Sequence, residues 1–199
     1  KGAAEIAIAS WRRSFFNPSD YGMKHHVALA SVRAGNVIGG GDWALDRIIP
    51  DCIKALEAGK GIDIRSPKAI RPWQHVLEPL SGYMLLATKM WEEPTKYCEG
   101  WNFGPRAESI TPVWDVATDV IKNYGSGKLN DISNSNVLHE AKLLMLDISK
   151  AKFQLGWEPR MNIHQCIELT VDWYKKYQNV DSIYMLCLNE IFKFTSYKK

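Results

Sequence analysis

Residues 25–34, HHVALASVRA, form a nearly unbroken apolar run. A run of this kind suits a strand buried on both faces, as in a parallel sheet. The next residues constrain the chain further: Asn36, then three consecutive glycines, Gly39 to Gly41, then Asp42 and Trp43. Glycine loses the most backbone freedom on folding, so a run of three needs a reason. After it the hydrophobic period changes. Leu45, Ile48, Ile49, Cys52, Ile53 and Leu56 recur at helical spacing up to Gly59, which predicts an amphipathic helix closed by a glycine. Pro50 implies a kink or a late start. In open parallel sheets, ligands bind outside the carboxyl ends of the strands. A ligand there and a tight strand-to-helix connection both account for the glycines.

The rest of the chain punctuates itself. Residues 2–16 read as a helix with Ala4, Ala7, Ile8, Trp11 and Phe15 on one face, ended by Asn17 and Pro18. GIDIRS is a short strand and RPWQHV an extended piece. Pro79 opens a helix to Trp91 that turns Leu80, Tyr83, Met84, Ala87 and Trp91 inward. GWNFG is a second short strand. Thr111 then caps a helix with Pro112 at its first position, a stripe of Val113, Val116, Ala117, Val120 and Ile121, and Gly125 at its end. Residues 126–138 read as a loop, and LLMLDISKAKFQLGW as a short strand followed by a helix capped by Asp147 or Ser149. Asn162 caps a helix burying Ile163, Cys166, Ile167, Thr170 and Tyr174, and the tail from Val180 reads as one more helix.

Several function classes find no support. The net charge of +3 is spread over scattered lysines and arginines, unlike the clustered basic face of a nucleic-acid binder. Cys52, Cys98, Cys166 and Cys187 form no C-x-x-C pair, which argues against zinc knuckles and redox motifs. They read as buried thiols in a reducing compartment, and the cytoplasm is the expected location. No stretch is long and apolar enough for a membrane span. His139-Glu140 lacks the second histidine of H-E-x-x-H, so no metal is expected. Neither a P-loop nor a G-x-G-x-x-G occurs. The residues suited to a ligand are Asn36, which both donates and accepts, and Arg47 and Arg71, whose planar guanidinium groups can each grip two phosphate oxygens.

The stretches ASVRAGNVIGGGDWALDRIIPD, IRPWQHVLEPLSGYMLLA, WNFGP, HEAKLLMLDISKAKFQLGW and ELTVDWY occur in this order. Together they resemble the CDP-glucose 4,6-dehydratases, members of the extended short-chain dehydrogenase/reductase family, from residue 1 to about residue 178. The resemblance implies an α/β fold: the C-terminal part of a Rossmann-like doubly wound parallel sheet plus the smaller, mostly helical nucleotide-sugar-binding domain. It divides the chain into the last part of the NAD-binding domain (1–42), a substrate-binding region (43–178) and a helical tail (179–199).

It further implies conversion of CDP-glucose to CDP-4-keto-6-deoxyglucose with bound NAD, within deoxysugar and O-antigen biosynthesis; the alternatives are a non-catalytic nucleotide-sugar-binding fragment and another extended short-chain dehydrogenase such as a sugar-nucleotide epimerase. The steps are oxidation at C4, loss of water across C5 and C6, and reduction at C6. By resemblance, KGAAEIAIA is the Tyr-x-x-x-Lys signature cut at its lysine. Lys1 then serves catalysis and NAD binding, Arg33 and Ala34 touch the cofactor, and Asn36, Gly40, Arg47 and Arg71 hold the substrate. The glycines would clear space for the nucleotide-sugar. The tyrosine and the NAD loop are absent from this sequence, so the chain alone is expected to be inactive. The implied partners are CDP-glucose and a second copy joined through helix 2–16, with no nucleic acid and no membrane.

Overall fold

The computed structural model describes residues 2–134 and 144–197, and these form two compact units. The first comprises Lys1–Ala34, Pro79–Phe103 and Asp147–Glu158. Helix α1 (Gly2–Ser14) opens it, and the Asn17 side chain caps the 3-10 turn Pro18–Asp20 just beyond. Strand β1 (Ser31–Ala34) runs parallel to a later strand, Gly100–Phe103, with Ser31 opposite Gly100 and Ala34 opposite Phe103. The strand expected over 25–34 is thus confined to its last four residues. Its partner is equally short, and the ladder cannot extend beyond it.

Helix α1 buries no residue completely. Trp11 is 58% and Phe15 64% exposed, with Ala4 and Ala7 also outward. Glu5, Ile8, Ala9 and Arg12 form its half-buried face instead. Helix α3 (Leu77–Glu92) is turned differently from expectation as well. Leu80, Met84, Ala87 and Trp91 are exposed, while Gly82 and Leu86 are buried. The cause is Gly82: a Cβ there would lie 2.2 Å from the Phe103 ring, so this glycine face packs directly on the aromatic side chain. The core of the unit is Leu86, Tyr97, Trp101, Phe103, Leu155 and Trp157. Over 144–157 the expected helix is present but short: residues 149–150 are α-helical and Ala151–Leu155 π-helical, the Asp147 carboxylate accepts from the Ser149 N–H at 2.8 Å, and Gly156 closes the turn in the left-handed region; residues 144–148, expected as strand, are loop.

The second unit comprises Gly35–Glu78, Gly104–Leu146 and Pro159–Lys199. Both units are discontinuous in sequence, so a division at residue 42 falls inside the second. Strand β2 (Asn36–Ile38) lies parallel to β5 (Trp73–His75), and β3 (Ile62–Ile64) parallel to β8 (Leu129–Asp131). Strand β4 (Ile70–Arg71) is antiparallel to β7 (Thr111–Pro112), and the Gly100–Phe103 strand of the first unit is β6. Three of these four strand pairs are parallel, as a Rossmann-like fold requires. Strand β8 falls where the polar sequence reads as loop, and Thr111 is a strand residue, leaving Pro112 as the helix cap.

Helices α2 (Ile48–Glu57), α4 (Val113–Tyr124), α5 (Ile163–Lys176) and α6 (Ile183–Ser196) cover these pairs. Pro50 sits in the first turn of α2, which starts late, at Ile48. Asn162 and Gln165 form a reciprocal capping box at α5. The core joins Ile49, Ile53, Ile64, Val116, Val120, Ile167, Leu169 and Trp173. Cys52, Cys98 and Cys166 are buried, whereas Cys187 on α6 is exposed. Among the described residues, no helix is long and apolar enough to cross a membrane.

Candidate functional site

The second unit holds a cavity of about 300 Å³ where β2 leaves its ladder and α2 begins. A glycine starts this arrangement. A Cβ on Gly35 would lie 2.5 Å from the Pro72 carbonyl oxygen, so only glycine lets β2 approach there, and the Asn36 N–H then donates to that same oxygen at 3.0 Å. Asn36, Ile38, Gly39 and Trp73 form one wall of the cavity, and Asp42, Asp46, Arg47 and the first turn of α2 form the other. The helix N-terminus carries partial positive charge that favours anions, and Arg47, its cap residue, makes no side-chain capping bond. The Arg47 Nε lies 3.8 Å from the Asp42 carboxylate, with both side chains open to solvent. Asp46 holds a left-handed backbone (φ 60°) and is ion-paired with Arg65 at 2.6 Å.

Asn36 and Arg47 both line this one cavity. Gly39 lines it; Gly40 does not. The space a side chain at Gly40 would take is filled by Trp173, whose Cγ would be 2.1 Å from the added Cβ. Gly39 is bounded likewise by Val76, 2.9 Å from its added Cβ, and Gly41 adopts φ 81°. Neighbouring side chains and backbone conformation thus account for the glycine run without a ligand. Arg71 is half-buried on β4, donates from Nη1 to the Ile70 carbonyl at 2.9 Å, and is not among the cavity-lining residues.

Arg33 and Ala34 belong to the first unit. The Arg33 Nε lies 3.6 Å from Glu5, and a Cβ on Gly100 would meet its guanidinium at 2.1 Å. Lys1 and the His139-Glu140 pair lie outside the described residues. Among the described residues, no group of three or more His, Cys, Asp or Glu side chains could hold a metal ion.

Sequence reading misses the polar residues buried in QHVLE. His75 is fully buried and its imidazole is pushed down to about 4 by that burial, so it is neutral. Glu78 is also fully buried; its Oε1 accepts from the N–H groups of Arg160 and Met161 at 2.8 and 2.7 Å. Burial raises its carboxyl above the usual range, against these two bonds and the Arg160 and Arg106 charges. Titratable residues inside an otherwise apolar stretch are the available signal.

No family model matches the chain. It is 45% identical, over 196 residues, to the CDP-glucose 4,6-dehydratase of Salmonella typhimurium strain LT2, an alignment covering 98% of this chain and 54% of that protein. Among solved structures, dTDP-glucose 4,6-dehydratase from Bacillus anthracis in complex with NAD superposes with a TM-score of 0.69 at 19% identity, covering 88% of this chain and 50% of that one. A dTDP-glucose 4,6-dehydratase from Streptomyces venezuelae gives 0.71 at 15% identity (89% and 50%). UDP-glucuronic acid 4-epimerase from Bacillus cereus gives 0.69 at 20% identity (89% and 51%). The chain spans about half the length of the proteins it matches. Its fold is shared with these sugar-nucleotide dehydratases and epimerases, and its sequence is similar to the C-terminal part of a CDP-glucose 4,6-dehydratase.

Proposed function

We propose that this chain is the nucleotide-sugar-binding part of an NAD-dependent CDP-glucose 4,6-dehydratase. The observation that carries the reading is the cavity where Asn36, Arg47 and the positive end of α2 converge, in a chain 45% identical to such an enzyme. That identity favours a dehydratase over the epimerases, which share the fold at much lower identity. Asn36 and Arg47, which line the cavity, hold the diphosphate, and Arg71 on β4 takes part as the resemblance implies. Anchoring this unreactive end aligns the sugar for chemistry elsewhere.

The residues present do not build a dinucleotide site by themselves. No G-x-G-x-x-G occurs, and the Arg33 guanidinium is engaged by Glu5 and packed over Gly100. These residues therefore do not complete an NAD site on their own. Lys1 is the catalytic lysine in this reading: its charge favours a neighbouring tyrosinate. The exposed Trp11 and Phe15 on α1 support self-association through that helix, and the cytoplasm is the matching compartment. Calorimetric titration tests the proposal. CDP and CDP-glucose bind, and NAD does not. Failure of both cytidine ligands to bind, or binding of NAD alone, overturns it.

A further inference from the structure

The loop that walls the cavity has little of its own to fix its shape. Within it, the Ala44 N–H donates to Asp42 Oδ1 at 2.9 Å and Arg47 stands 3.8 Å from Asp42. Leu45 is 79% exposed, and Asp46 sits in the strained left-handed region. From outside the loop, Lys54 of α2 donates from Nζ to the Trp43 carbonyl at 2.8 Å and Arg65 pairs with Asp46 at 2.6 Å, both at exposed positions; the buried restraint comes from α5. Trp173, 6% exposed, presses its indole against the Gly40 backbone so closely that not even a methyl group fits between them. Beside it on α5, the Tyr174 hydroxyl donates to the Asp42 carbonyl oxygen. The Trp43 ring packs edge-on against Tyr174 at 5.1 Å and tilted against Tyr177 at 5.3 Å, and Tyr177 stacks on Trp173 at 5.4 Å. Three loop residues, Gly40, Asp42 and Trp43, are thus seated on one aromatic platform.

We propose that Trp173 and Tyr174 are positioning residues that set the cavity's shape for a nucleoside diphosphate. This rests on the proposed function for the ligand class, but not for the restraint itself. Neither residue lines the cavity. They act through Gly40 and Asp42, which fix the backbone leading to Arg47. A guanidinium grips two oxygens only when it is correctly placed, and small displacements of a binding group weaken recognition sharply. The Tyr174 phenol is pushed up to about 12, chiefly by burial and then by the Asp42 charge, so it remains a donor throughout the neutral range.

The test uses the 199-residue chain with two readouts: amide hydrogen exchange over residues 39–47 without ligand, and CDP affinity by calorimetry. Tyr174→Phe removes one hydroxyl and leaves the ring. It raises loop exchange roughly tenfold, the effect of losing about one neutral hydrogen bond, and weakens CDP several-fold. Gly40→Ala does the same or more, and in a Trp173→Ala background adds less than about twofold, because the opposing ring is gone. Arg47→Ala weakens CDP while leaving exchange over 39–44 unchanged. If Tyr174→Phe and Gly40→Ala leave loop exchange and CDP affinity at wild-type values, the positioning role is overturned while the nucleotide reading stands. If the wild-type chain binds no CDP but the loop responds as described, the nucleotide reading fails and the restraint by α5 is upheld.

Discussion

At the scale of single residues, two arginines divide a task that looks shared in the sequence. Arg47 lines the cavity, and its side chain is open to solvent beside Asp42. Arg47→Ala should therefore weaken CDP binding roughly tenfold, the loss of a charge-assisted bond, with almost no change in melting temperature. Arg71 is half-buried and bonded to the Ile70 carbonyl. Arg71→Ala should weaken binding by about 1.5–3 kcal/mol and should also lower the melting temperature. Arg71→Lys should restore stability better than affinity, because an ammonium cannot reproduce a planar fork. Parallel titrations and melting curves of the three variants check this. Equal melting losses in Arg47→Ala and Arg71→Ala would contradict the division.

At the scale of elements, α6 carries a titration of its own. Within the second unit, a cavity of about 730 Å³ is lined by Asp172 and Lys176 of α5 and by Leu186, Glu190 and Lys193 of α6. Asp172 and Lys176 pair with each other at 2.7 Å, and the buried Glu190 Oε1 has no hydrogen-bond partner among the described residues. Its carboxyl is pushed up to about 7, first by burial, then by Asp172, against Lys193 and Lys176. The folded state thus favours the protonated acid. This stabilisation is complete below the ordinary value of 4.5 and is lost as pH rises towards 7.

His75 works in the opposite sense. Buried neutral at about 4, it contributes stability present above its ordinary 6.5 and lost as pH falls. Only the difference between wild type and Glu190→Gln isolates the α6 effect. The wild type should lose roughly 2–4 °C relative to the variant between about pH 5 and 8, taking about 1 kcal/mol after allowing for solvent screening. Parallel melting curves that keep a constant offset would exclude the mechanism.

The same element scale shows what is legible in the sequence. Helices α2, α4 and α5 announce themselves through unbroken 3.6-residue stripes and strong terminal signals, such as Asn162 and Gly125. The pattern assigns helix α3 the wrong inner face because Gly82, which a hydrophobic stripe treats as blank, is where the helix meets Phe103. Strand β8 escapes the pattern because Leu129–Asp131 is polar apart from Leu129, and its ladder with β3 comes from a distant segment. At the cavity, Asn36 and Arg47 can be read from residue type and loop position. Trp173 cannot, since nothing local reveals that its ring meets Gly40.

At the scale of the whole chain, the sequence holds no G-x-G-x-x-G, and its Tyr-x-x-x-Lys spacing, Tyr124 to Lys128, falls across the end of α4 and the turn after it rather than at the start of a helix. Purified chain mixed with NAD and CDP-glucose should form no 4-keto product, and chromatographic detection of that product would refute this. The outward Trp11 and Phe15 of α1 should also make it associate. Replacing both with serine should shift light scattering towards monomer, and a wild type that is already monomeric at high concentration would rule out the interface.

The parallel ladders have a further consequence, in time. Ser31 must find Gly100, and Ile62 must find Leu129, before either ladder forms its first bond. Loop closure comes before the reward in such pairings, which slows folding. While the partners search, the strands present unpaired edges to other chains. Yield on refolding should therefore depend on dilution and on the rate of ladder closure more than on final stability, and a cell making this chain must protect it chiefly in the interval before Gly100–Phe103 arrives.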